Sequence, residues 1–290
     1  MKTLIDLTVP ALTFILLAAV GLDLTSKDFA RLRSQRTLVV TGLVGPLVLL
    51  PPIAVVLAWL FRLAPEVAAS LLLVAACPIG GISNTYSYLA RASTALSVTL
   101  TGLSCLLAGF TVPLVAEGID GTVGRKLAVP LWDVRVPMAS LIAQLLLMLT
   151  LPVAFGMWVR GRWPHLAARY RPAIQSLAFA GVGLVLLLII GDDPPAFFGG
   201  LSSTVPVAAM FIACSAAAGW ATAAIVSGDP RDRFTIAAEF GTRNLGVAMA
   251  IGVTMLGRVE FARFAYTYFL AEIPLMLLMV AWRRRRQAVA

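Results

Sequence analysis

The chain has 290 residues, 60% of them hydrophobic and 13% charged, with a formal net charge of +9. A mean hydropathy of +0.91 excludes an ordinary soluble domain. Nor does the positive charge indicate a nucleic-acid partner, because nearly all of it lies in short runs flanking apolar stretches.

Those stretches are roughly 18–25 residues long, each enough to cross a hydrocarbon layer of about 30 Å. In chain order they predict spans at about 7–24, 37–60, 67–90, 94–117, 136–158, 173–191, 203–226, 232–256 and 263–282. The first is expected to be an anchor rather than a cleaved leader. Only Lys2 precedes it, it has no clear small-residue cleavage site, and a basic cluster follows it. The third is interrupted by Pro78-Ile79-Gly80-Gly81-Ile82-Ser83-Asn84-Thr85. The eighth is interrupted by Glu239-Phe240-Gly241-Thr242-Arg243-Asn244. An ionisable side chain at mid-bilayer costs roughly 2.5–3.5 kcal/mol or more, so two in one span mark a functional site. Glycine, threonine and asparagine beside them predict a break in each helix.

Basic residues set the orientation. Fifteen fall on one face: Lys27, Arg31, Arg33, Arg36, Arg91, Arg160, Arg162, Arg169, Arg171, Arg231, Arg233 and the run 283–286. Seven fall on the other (Lys2, Arg62, Arg125, Lys126, Arg135, Arg258, Arg263), and Arg243 is left inside. The bias predicts an N-terminus outside and a C-terminus in the cytoplasm of a cell inner (plasma) membrane protein.

The longest connections, 25–36, 118–135 and 159–172, are too short to fold alone. The chain therefore reads as one membrane domain over 1–290, with a four-span first repeat (1–117) and a five-span second repeat (134–290). Each repeat holds one interrupted span, and the two run in opposite directions. That is the expectation for an inverted-topology repeat, whose paired broken helices point to a secondary transporter's binding site. Dense small residues in the later spans permit close helix packing and say nothing of cargo.

Ser97 and Thr101 lie at i, i+4, hence on one helix face. With Ser83, Asn84 and Glu239 they make an oxygen set suited to a hard, desolvated cation such as Na⁺. Each hydroxyl taken alone is better explained by a bond to its own helix backbone; the set joined to Asn84 and Glu239 reverses that preference. Arg243 has two readings: a guanidinium in place of a cation, or an i, i+4 ion pair with Glu239 that only staples the helix. Glu272, inside the last span, is open between a partner for Arg243, a protonatable coupling group and an interfacial residue. Cys77, Cys105 and Cys214 lack metal or disulfide spacing and read as small packing residues. His165, the single histidine, reads as a surface residue.

The segment 77–84, then Tyr88-Leu89-Ala90-Arg91, then Ala95-Leu96-Ser97-Val98-Thr99-Leu100-Thr101, resembles the bile acid:sodium symporter family, as does Glu239–Asn244. Val20-Gly21-Leu22-Asp23-Leu24 and Asp28-Phe29 resemble that family's opening. The resemblance implies an all-α polytopic membrane protein: an inverted-repeat transporter with core and panel domains and two crossing discontinuous helices. It also implies a nine-span form that begins at what is the second span of ten-span relatives. Carried over residue by residue, Ser83, Asn84, Ser97, Thr101 and Glu239 match the family's first sodium site. At the second site the family's two glutamines are replaced by Arg243 and, counting back from Pro78, by Pro46. Arg243 and Asn244 are thus candidate substrate or ion-surrogate residues.

The expected function is Na⁺-coupled transport of a small organic anion, bile acid-like or a carboxylate, with about one Na⁺ per cycle. The alternative is a sodium-independent carrier, proton-coupled or facilitated, on the same fold. A channel remains a minor reading, to be separated by saturable, countertransport-stimulated flux. An intramembrane enzyme has little support, because no HExxH, no paired intramembrane aspartates and no Ser/His pairing occur. No organic cofactor, nucleic acid or protein partner is implied.

Overall fold

The computed structural model describes residues 2–24, 35–119 and 138–289. Lys27, Asp28, Phe29, Arg31, Arg33, Arg125, Lys126 and Arg135 lie outside the described residues. The elements are α1 (Lys2–Asp23), α2 (Arg36–Leu60), α3 (Pro65–Ala76), α4 (Ser83–Leu89) and α5 (Thr94–Ile119). Next, α6 (Met138–Leu145) runs through a π-helical turn (Leu146–Thr150) into α7 (Leu151–Arg162), followed by α8 (Pro164–Asp192) and α9 (Pro194–Val226). Last come α10 (Pro230–Gly241), α11 (Leu245–Met249), a π-helical segment (Ala250–Met255) and α12 (Val259–Val289). Among the described residues there is no strand, only one isolated bridge between Ile79 and Arg243.

Among the described residues, five stretches are long and apolar enough to cross a membrane: Arg36–Leu60, Thr94–Val115, Ile142–Arg162, Phe197–Val226 and Val259–Gln287. Their outer faces suit lipid. Val40, Val44 and Val48, one turn apart on α2, are 56%, 49% and 59% exposed. Such a stripe is an aggregation hazard in water and an ordinary surface in hydrocarbon.

The expected connection at 159–172 is not a loop. Helix α7 continues to Arg162, and α8 starts at Pro164 after the single residue Trp163. Apolarity ends there but helix propensity does not, since alanine and arginine are both good helix formers. Pro164 at the first helical position then starts the next helix.

The helices pack in two groups. Helix α1 packs on α7 and α8, while α2, α3, α5, α9, α10 and α12 pack on one another. Glycines bring α1 and α7 together, because a Cβ on Gly21 or Gly156 would overlap the facing helix's backbone. The larger group holds both broken helices. Helix α3 stops at Ala76, where Cys77 is extended (φ −64°, ψ 154°) ahead of Pro78, as a residue before proline must be. Helix α10 stops at Gly241, where Thr242 is likewise extended (φ −108°, ψ 117°).

Candidate functional site

The two breaks cross each other. Asn244 N–H donates to the Pro78 carbonyl at 2.8 Å and Gly80 N–H to the Thr242 carbonyl at 3.3 Å. With no water in a bilayer core, irregular backbone persists only where its polar groups are satisfied internally. The crossing meets that requirement one group at a time. Ile79 N–H donates to Ser104 Oγ at 3.1 Å. Tyr268 OH donates to the Gly241 carbonyl at 2.7 Å. Asn244 Oδ1 accepts from Val247 N–H at 3.2 Å and so caps α11.

Three carbonyls at or beside the breaks accept from Arg243, which is 2% exposed. Its Nε donates to the Thr242 carbonyl at 3.1 Å, Nη1 to Cys77 at 3.2 Å and Nη2 to Glu239 at 2.5 Å. Glu239 is therefore bonded through its main chain, and among the described residues Arg243 forms no ion pair with the carboxylate. The helix-stapling ion pair is not the arrangement found. The guanidinium sits where the C-terminal ends of α3 and α10 converge, so two sets of end carbonyls and the negative ends of two helix dipoles face one cation.

The Glu239 carboxylate points the other way, toward α5. Ser97 Oγ donates to Glu239 Oε1, and Thr101 Oγ1 donates to Glu239 Oε2 at 3.1 Å. Ser97 Oγ also lies 2.8 Å from Asn84 Oδ1, and Thr101 Oγ1 lies 3.3 Å from it. Ser83 Oγ stands 3.2 Å from Thr101 Oγ1. Thus Ser83, Asn84, Ser97, Thr101 and Glu239 converge from α4, α5 and α10 on one spot, with Ser83, Ser97, Thr101 and Glu239 fully buried. The donor set is all oxygen: three hydroxyls, one amide and one carboxylate. Such a set suits a hard cation and offers a softer metal nothing.

Beside this cluster is a cavity of about 170 Å³ between the two helix groups. Its walls include Val20 of α1, Gly80 to Ile82, Asn84, Arg243, Asn244, Phe269 and Glu272. Glu272 is fully buried and makes no ion pair with Arg243 among the described residues. Pro46 is buried within α2. His165 is exposed, Cys77 and Cys105 are buried without a disulfide, and Cys214 is only half-buried. The sequence reading omitted Ser104 and Tyr86. Ser104 had a signal, standing three residues beyond Thr101 on the same helix face. Tyr86, whose hydroxyl reaches Glu272, had none.

An all-helical membrane bundle whose two broken helices cross beside a buried oxygen cluster has the architecture of a secondary transporter. Residues 9–193 match the sodium bile acid symporter family, and the chain belongs to that family. The match runs from α1 to the end of α8, so Glu239–Asn244 stands beyond it. The chain is 27% identical over 238 residues to YocS, a sodium-dependent transporter of Bacillus subtilis, covering 82% of this chain and 71% of that one. It is 27% identical over 245 residues to the probable sodium/metabolite cotransporter BASS1 of Arabidopsis thaliana, covering 84% of this chain and 58% of that one. It is 25% identical over 262 residues to the sodium-dependent organic anion transporter of Mus musculus, covering 86% and 67% respectively. The family and these relatives are transporters, not enzymes.

Proposed function

We propose that the chain is a secondary active transporter that moves a small organic anion inward with one Na⁺ per cycle, by alternating access of the two helix groups. The observation that carries this reading is the convergence of four oxygen-bearing side chains, Ser83, Asn84, Ser97 and Thr101, around the fully buried Glu239 carboxylate. A carboxylate in that position needs a cation, and the hydroxyls and amide of Ser83, Asn84, Ser97 and Thr101 supply the oxygens that replace its water. The relatives' dependence on sodium agrees with this choice of ion.

Arg243 supports a count of one. Its guanidinium donates to the carbonyls of Cys77, Glu239 and Thr242, and so occupies oxygens that could otherwise coordinate a second ion. It acts as a fixed ion surrogate, so the cavity offers an anion about the same positive balance with one fewer Na⁺. The cavity of about 170 Å³ is below the range of about 300–1,000 Å³ for pockets that take drug-sized ligands. That favours a small carboxylate over a steroid-sized anion. The same reading places the protein in the inner membrane with the N-terminus outside, as two inverted repeats of four and five spans.

Uptake of labelled pyruvate, pantoate and taurocholate by proteoliposomes, with and without an inward Na⁺ gradient, tests the proposal. Saturable, Na⁺-stimulated uptake of one of the small carboxylates supports it. Saturable uptake indifferent to Na⁺ replaces it with a sodium-independent carrier, in which Ser83, Asn84, Ser97 and Thr101 contact the substrate.

A further inference from the structure

We propose that Glu272 is a proton site of the transport cycle, so that a proton travels with the anion and Na⁺. The proposal rests on the transporter reading above and adds a second coupling ion at a second carboxylate.

Glu272 sits on α12, 0% exposed, in the wall of the cavity that also presents Asn84, Thr85 and Arg243. Its Oε1 accepts one long bond from Tyr86 OH at 3.4 Å. Its Oε2 is buried and has no hydrogen-bond partner among the described residues. A carboxylate held inside a membrane protein with an oxygen unpartnered is costly as an anion and marks a functional group. Glu239 is different, since three hydroxyls and an amide surround it. Among the described residues the one hydroxyl bonded to Glu272 is that of Tyr86, and a metal ion needs several oxygens at once. The cation that one carboxylate oxygen holds alone is the proton.

Charge gives the coupling its direction. Glu239 with Arg243 and one Na⁺ leaves a single positive charge for the anion. An ionised Glu272 cancels it and puts a negative group on the wall the anion must share. Protonated, Glu272 restores the positive balance. Anion and proton therefore bind more tightly together than apart, and the linkage is reciprocal. The proton is taken from water on the side to which the cavity opens, rests on Glu272, and is released to water on the other side. No covalent bond besides O–H changes.

The titratable and charged groups that face Glu272 are few. Tyr86 comes from α4, Tyr268 from α12 itself and Arg243 from the crossing. The same cavity is lined by Tyr266 and by Asp23 of α1, the latter ion-paired with Arg171 of α8 at 2.5 Å. Helix α9 contributes no charged residue, and the only one on α3, Glu66, lines a separate cavity with Glu260 and Arg263. Within this set Glu272 is the carboxylate without an ionic partner or a hydroxyl cage.

The test uses the full chain in proteoliposomes, with pyruvate as probe anion, a trapped pH dye and a Na⁺ gradient; protein-free liposomes give the leak to subtract. Wild type is expected to acidify the lumen by about one proton per pyruvate, and its uptake falls as external pH rises. Glu272→Gln keeps the acceptor for Tyr86 and fixes the uncharged form, so acidification and the pH dependence are both lost. A second measurement needs no transported anion. Infrared spectra of the purified protein should show a protonated-carboxyl C=O band that titrates with pH and is missing in Glu272→Gln. Acidification by Glu272→Gln equal to wild type, or no carboxyl band lost with that substitution, overturns the proposal. If wild type carries no pyruvate, the transport reading fails for that anion, and the infrared result alone decides the proton site.

Discussion

Ile79 and Arg243 pair across the two helix breaks as an isolated antiparallel bridge. Between them they hold together two segments far apart in the chain. Arg243 acts twice, its backbone in the bridge and its guanidinium on the carbonyls of Cys77, Glu239 and Thr242. The crossing is thus fixed by main-chain hydrogen bonds and by one side chain that neutralises the ends of both half-helices. A rigid crossing suits alternating access, because the ion cluster and the cavity wall then move as one piece.

That tightness makes Gly80 a sensitive position. A Cβ there would stand 2.5 Å from the Arg243 carbonyl oxygen and 2.9 Å from its carbon, both backbone atoms that cannot swing aside. Gly80→Ala is expected to destabilise the protein by about 1–3 kcal/mol, as overpacking does. Gly161→Ala is the control, since nothing lies within 4 Å of a Cβ at that position. Thermal melts of the detergent-solubilised protein should show a clearly lowered transition for the first and none for the second. Equal melting of the two variants would show that the crossing has more slack than these contacts allow.

Glu239→Gln keeps the shape of the side chain and removes its charge. Ser97 and Thr101 donate to different oxygens; the amide leaves one of them its acceptor and offers the other an N–H that its hydroxyl oxygen accepts, so the fold should survive, with a melting transition near that of wild type. The cation loses the one anionic oxygen donor of the cluster. Hydrogen bonds and contacts to a charged group are worth about 1.5–3 kcal/mol, which translates to a loss of at least about tenfold in Na⁺ affinity. Sodium-driven uptake should collapse at ordinary concentrations. Near-normal uptake by a well-folded Glu239→Gln protein would remove Glu239 from the ion site.

Much of this site was legible because its signals are local. Proline, glycine and asparagine inside apolar runs announced both breaks, and the i, i+4 spacing of Ser97 and Thr101 placed two hydroxyls on one face. The partners of Arg243 were not legible, because all three are main-chain carbonyls that every residue possesses, and only the fold says which ones are orphaned. The proximity of Tyr86 to Glu272 was hidden for another reason. They are 186 residues apart, and no periodicity links positions on different helices. The connection at 159–172 was misread because hydropathy finds where a bilayer ends, whereas arginine and alanine let a helix run on past it.

Orientation is testable at Asp193, which separates α8 from α9 and ion-pairs Arg263 at 3.4 Å. Its side chain is 44% exposed, so losing that pair costs about 1 kcal/mol or less. A cysteine replacing Asp193 should fold and accept a membrane-impermeant maleimide from outside the cell. The three native cysteines are buried or half-buried, which keeps their background low. Labelling from the cytoplasmic side alone would invert the topology drawn from the basic residues.

The ion count is the sharpest consequence of the crossing. With Arg243 on the break carbonyls and Pro46, which has no side-chain amide, buried in α2, a single cluster is left for Na⁺. Transport should therefore depend on Na⁺ with a Hill coefficient near one, as independent single-site binding requires. Arg243→Gln removes the guanidinium but should not raise that coefficient, because the second amide is still missing. It should instead weaken the protein, since the Cys77 and Glu239 carbonyls lose the guanidinium and a buried carbonyl left without a donor costs about 1–3 kcal/mol. Sigmoidal Na⁺ dependence in wild type, with two ions counted from flux ratios, would mean that a second ion binds despite the guanidinium. Arg243 would then be a structural clamp on the crossing, and the positive balance in the cavity would come from sodium alone.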